Sequence, residues 1–102
     1  MSERLEALKQ MVAKNPKNVL ARFGLANEAV KSGDHALAVE QLRLYLAGYD
    51  DEGNGWQRLA ESLTALGRRD EARAALEKGI AAAERFGHAS MAAEMRELLG
   101  RL

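Results

Sequence analysis

A chain of 102 residues, 47% hydrophobic but only 5% aromatic, has room for one small domain whose core must come from Leu, Ala, Met and Val. That composition favours packed helices over sheets, which draw on β-branched and aromatic residues. Fifteen Lys plus Arg balance fifteen Asp plus Glu, in both halves of the chain, so the basic excess of nucleic-acid binders is missing, and without cysteine there is no disulfide framework or thiolate zinc site.

The opening Met1-Ser2-Glu3-Arg4-Leu5 is charged and amphipathic, unlike the basic stretch and apolar run of a signal peptide. No apolar run approaches the ~20 residues of a membrane span. The expectation is a cytoplasmic protein without membrane contact. Periodicity then predicts a first helix over Glu3–Lys14, within a segment 3–16.

The next segment, 18–51, carries Arg22, Leu25, Ala26 and Ala29 at i, i+3, i+4, i+7, one face of a helix. Gly33 ends that helix, where a left-handed residue satisfies the last carbonyls without a Cβ clash. Asp34 puts negative charge at the start of the following helix, where the dipole favours it. Ala38 is small where that helix must approach its predecessor, and Leu42 fills the space beside it. Segment 52–86 repeats the pattern with Trp56, Leu59, Ala60 and Leu63, then Gly67, Asp70-Glu71, Ala72 and Leu76. After Phe86-Gly87, a last helix in 88–102 carries Met91, Met95, Leu98, Leu99 and Leu102 on one side.

Sliding the sequence along itself by 34 residues superposes Leu25 on Leu59, Ala26 on Ala60, Gly33 on Gly67, Ala38 on Ala72, Leu42 on Leu76 and Ala47 on Ala81. A 34-residue helix–turn–helix opening W-x2-L-[GA], with Gly at the turn and A-x3-[LF] at its close, resembles the tetratricopeptide repeat. Trp56-Gln57-Arg58-Leu59-Ala60 with Ala72 and Leu76 is the better match. The earlier unit departs from the pattern with Arg22 in place of the aromatic and Tyr45 where a small residue is usual; Gly79 holds that place in the second unit. Asp50 and Glu84 stand where the closing proline would be. Stepping back 34 residues from Leu42, Leu46 and Asp50 gives Leu8, Val12 and Pro16, so the first helix reads as the second half of a repeat. The last helix reads as a cap. The resemblance implies an all-α fold of about six antiparallel helices in a right-handed superhelix, a single domain over 1–102 with one half-repeat, two repeats and a cap.

It also implies an inner, concave face lined by the first helix of each unit. Leu20, Phe23, Asn27, Val30 and Lys31 fall there in the first unit, and Asn54, Gln57, Glu61 and Thr64 in the second. The amides and hydroxyl can pair with an extended peptide backbone, and Phe23 and Val30 can seat an apolar side chain. The plainer alternative is that Leu20, Phe23 and Val30 are covered by neighbouring helices. Some chaperone-binding members of the family grip a C-terminal carboxylate with Lys and Asn on the first groove helix. Asn27 matches, but Phe23 stands in place of that lysine and Arg58 in place of the next asparagine, so such a clamp is not supported.

Other chemistry finds little footing. Asp50, Asn54, Gly55 and Glu61 have the spacing of a calcium loop, but Glu52 and Gln57 break the pattern and Trp56–Glu61 belongs to a helix. His35 and His88 are isolated, and Ser2, Ser32, Ser62 and Ser90 lie in no nucleophile context. Neither glycine 53 nor 55 is followed by the Lys-Ser/Thr of a phosphate loop. The reading is therefore a protein–protein interaction scaffold without catalysis, metal or cofactor, binding a protein or peptide. The alternative is self-assembly, head-to-tail through the complementary end helices or as a homodimer through Met91, Met95, Leu98 and Leu102.

Overall fold

The computed structural model describes residues 3–102, and all regular structure among them is helical. Six helices follow one another: α1 (Glu3–Lys14), α2 (Val19–Lys31), α3 (His35–Gly48), α4 (Asn54–Ala65), α5 (Arg69–Arg85) and α6 (Ala89–Gly100). They form two compact units, residues 1–49 and 50–102. In the first, α2 packs against both α1 and α3; in the second, α5 packs against both α4 and α6.

The turns explain the helix ends. At Gly33, Gly67 and Gly87 the backbone takes φ of 78°, 76° and 76°. Each glycine N–H returns to the carbonyl three residues back, and the next N–H reaches the carbonyl five residues back: Asp34 to Ala29 at 2.8 Å, Arg68 to Leu63 at 2.9 Å, His88 to Ala83 at 2.8 Å. That double closure satisfies carbonyls the helix cannot, and its left-handed residue favours glycine. Asn18 and Asp34 start α2 and α3 by accepting from the Ala21 and Leu37 amides, each at 3.1 Å.

The start of α4 is built differently. Asp51, only 4% exposed, accepts from the Gly53 and Gly55 amides with one carboxylate oxygen, both at 2.8 Å. Its charge is thereby spent on backbone donors at a helix N-terminus, where it is favoured. Gly53 itself has φ of 131°, and a Cβ there would stand 2.8 Å from the Met91 sulfur.

The core of unit 1 gathers Leu5, Val12, Ala21, Leu25, Ala29 and Ala38, with Leu8 and Leu37 against it. Ala26, Leu42 and Tyr45 are also buried. Arg22, at the position of the family aromatic, reaches across to α3: Nη1 donates to Gln41 Oε1 at 2.9 Å and Nε to the Pro16 carbonyl at 2.9 Å. Glu28, buried at the other end of α2, takes an ion pair from Arg4 of α1 at 2.9 Å and from Lys31 at 3.4 Å. In unit 2 the buried apolar set is Leu59, Ala60, Leu63, Ala72, Ala75, Leu76, Ala82, Ala83, Ala92 and Met95. Gly79 lets three helices close there: a Cβ on it would meet Met95 Sδ at 2.6 Å and Trp56 Cβ at 2.8 Å. No helix of the described residues is long and apolar enough to cross a membrane.

Candidate functional site

On α2, residues 20, 23, 27, 30 and 31 recur at helical spacing and form one stripe. Leu20 is 72% exposed and Val30 38%, while Phe23 and Asn27 are half-buried. Neither aliphatic side chain is covered by a neighbouring helix. Phe23 is partly covered: its ring lies 4.8 Å from that of Tyr45 at an angle of 46°, and Tyr45 in turn stacks on Tyr49 at 5.4 Å and 30°. Tyr45, buried in the middle, holds Phe23 and Tyr49 as the two emerging ends of a ladder. Tyr49, 49% exposed, is a surface aromatic that the α2 stripe omits; its spacing of four from Tyr45 was the available signal. Lys31 is tied to Glu28.

On α4 the polar groups are less available than their residue types suggest. Asn54 Oδ1 accepts from Arg58 Nε at 3.3 Å, and Gln57 Nε2 donates to Glu94 of α6 at 3.4 Å. The Thr64 hydroxyl donates to the Ala60 carbonyl at 2.8 Å, one turn back in its own helix. Gln57 and Thr64 retain acceptor capacity, but their donors are partly or wholly committed.

Glu61 and Thr64 instead border a cleft of about 280 Å³ within unit 2. Ala60 and Leu76 give it apolar surface from α4 and α5, and Leu98 and Leu102 close it from the α6 side. Arg69 and Arg101 complete its rim. Leu98 and Leu102 were legible as the packing side of the last helix. That they face a cleft rather than a closed core depends on the end-to-end fit of α4, α5 and α6. Met91 and Met95 of that same stripe are turned inward against Gly53 and Gly79, and Met95 is fully buried. A symmetric dimer through α6 would therefore have to do without Met95.

Around the α5–α6 turn, Arg85 pairs with Asp50 at 2.5 Å and His88 approaches Glu52 at 3.8 Å. The acids of residues 50–52 thus have three separate uses, with Asp51 turned onto the backbone. Among the described residues no group of three His, Asp or Glu side chains is placed to hold a metal ion. The hydrogen bond and charge of Glu71 push the Arg68 guanidinium further above its ordinary pKa.

A family model described as Tetratricopeptide repeat matches residues 1–85 of this chain. The TPR repeat-containing protein PA0015 of Pseudomonas aeruginosa is 34% identical over 98 residues, covering 96% of this chain and 93% of that protein. The β-barrel assembly-enhancing protease of Escherichia coli K12 is 35% identical over 72 residues, which is 71% of this chain but 15% of the protease. Among solved structures, that of protein BPP2914 from Bordetella parapertussis aligns with a TM-score of 0.81 at 31% identity, covering 99% of this chain and 88% of that one.

Proposed function

The chain belongs to the tetratricopeptide-repeat family, and on that premise we propose that it is a non-catalytic scaffold that binds a protein or peptide partner through the inner-helix faces of α2 and α4. Its organisation in this reading is a half-repeat at 3–16, repeats at 18–51 and 52–86, and a cap at 88–102, acting in the cytoplasm. The carrying observation is Leu20, 72% exposed on the same stripe as half-exposed Val30 and Phe23. A leucine left in water on a helix that already has a well-buried opposite face contributes nothing to folding. Covering it on binding contributes about 1.5–3 kcal/mol.

The α4 face plays the complementary part. Asn54, Gln57 and Thr64 offer carbonyl and hydroxyl oxygens to a partner's backbone amides, and Glu61 offers a free charge. Taken separately, the α2 face suits an apolar anchor and the α4 face a polar, extended segment.

The test uses Leu20→Asp, which removes an exposed side chain without touching the core. The variant keeps its helical circular dichroism and loses capture of the native partner in a pull-down; capture at the level of the unaltered protein refutes the reading. Phe23→Ala and Gln57→Ala serve as secondary probes of the two faces, with a stability measurement alongside because Phe23 also packs on Tyr45.

A further inference from the structure

The cleft of unit 2 carries a charge pattern that narrows the ligand. Nearby cations are matched within the fold: Arg68 pairs with Glu71, Arg73 with Asp70, and Arg101 with Glu97. Arg69 and Glu61 are not. Both line the cleft, yet neither has a hydrogen-bond or ion-pair partner among the described residues. They are therefore further apart than the 4.0 Å within which an ion pair forms. One free cation, on the first residue of α5, and one free anion, on α4, thus share an apolar cleft that includes Leu76, Leu98 and Leu102.

Two opposite charges that share a small cleft without joining leave both solvated, and each is at liberty to pair with a ligand group. A ligand that matches them must carry an acid and a base with apolar bulk between. A uniformly acidic or basic segment satisfies one rim charge and is repelled by the other. A purely apolar segment fills the floor and leaves both charges facing its backbone. We infer that this cleft binds a peptide segment of a partner protein in which leucine-like side chains stand between an acidic and a basic residue. The acid meets Arg69, the base meets Glu61, and the aliphatic side chains displace water from the partly exposed Leu98 and Leu102, above buried Leu76. The inference rests on the scaffold reading and deepens it by naming the ligand chemistry at one of its faces.

The experiment titrates ¹⁵N-labelled protein with capped tetrapeptides, acetylated and amidated so that only side chains carry charge: Asp-Leu-Leu-Lys, Asp-Leu-Leu-Asp, Lys-Leu-Leu-Lys and Asp-Ala-Ala-Lys. Asp-Leu-Leu-Lys binds most tightly, by about fivefold over either like-charged peptide, and shifts the amides of Ala60, Leu98 and Leu102. The alanine peptide binds most weakly. Arg69→Glu moves the preference to Lys-Leu-Leu-Lys, and Glu61→Lys moves it to Asp-Leu-Leu-Asp. Both side chains are exposed, and circular dichroism confirms that the helices persist. The inference is overturned if the peptides keep one ranking in all three proteins or if the unaltered protein binds none of them. It is also overturned if the cleft amides shift with protein concentration alone, which would make a second copy the occupant. The broader reading is judged apart from this: Leu20→Asp abolishing partner capture sustains it even where the peptides fail, and retained capture in that variant overturns it.

Discussion

Two positions 34 residues apart, Tyr45 and Gly79, occupy the same place in the two units and solve it in opposite ways. In unit 1 the place is filled by a buried tyrosine stacked on Phe23 of α2. In unit 2 it is left empty of side chain, and Met95 of α6 enters the space beside Trp56. The neighbouring positions follow suit. Arg22 and Gln41 form a polar bridge between α2 and α3, whereas their counterparts are Trp56 and Ala75, an aromatic and a small buried residue with no polar group to bridge. Buried Glu28, which ties α2 to α1 through Arg4, corresponds to buried Ser62. A helix pair of this kind thus fixes which positions must be filled but not with what. Volume at one position is exchanged for volume, or for a polar contact, at its neighbours.

The strongest test of that contrast is to exchange the two residues. Gly79→Tyr has no room, since even a Cβ would meet Trp56 and Met95 inside 3.0 Å, and it destabilises by about 3 kcal/mol or more. Tyr45→Gly removes a buried ring and inserts a helix-weakening glycine, for a cost of about 3–5 kcal/mol. Urea denaturation measures both, and a near-neutral result for either removes the claim that the two units are packed on different plans. Next in size is Asp51→Ala, which strips two buried amides of their acceptor and costs about 1–3 kcal/mol; Asp51→Asn, which keeps an oxygen in place, costs less. Replacing Arg22 and Gln41 singly and together by alanine yields a coupling of about 1 kcal/mol in a double-mutant cycle, whereas Trp56 and Ala75 have no polar bridge to couple. The smallest effect is at Thr64→Val, within about 0.5 kcal/mol, because its hydroxyl serves a helix carbonyl that already has an amide donor.

Much of the fold was readable from spacing. Leu25 and Leu59, Ala38 and Ala72, Leu42 and Leu76 are all buried as their periodicity required. Gly33 and Gly67 end helices because only the left-handed conformation closes those carbonyls. Helical period and turn chemistry are local rules, and local rules can be read from one sequence. The surfaces were readable in part. Leu20 and Val30 lie open, while Phe23 is half taken up by Tyr45, a contact between residues 22 positions apart that no periodicity encodes. The same limit hid the hydrogen bond from Gln57 to Glu94 and the cleft joining Glu61 to Leu98 and Arg101. These depend on where α6 ends against α4, which is set by packing rather than by pattern.

Trp56 is the chain's one tryptophan and lies in unit 2, while Tyr45 and Tyr49 are its two tyrosines and both lie in unit 1. Each unit therefore carries its own optical reporter without any labelling. Selective excitation of the indole follows α4 and α5, and the tyrosine signal follows the ladder on α2 and α3. Coincident melting curves mean that the chain unfolds as one cooperative body, and separated curves mean that each unit has a stability of its own.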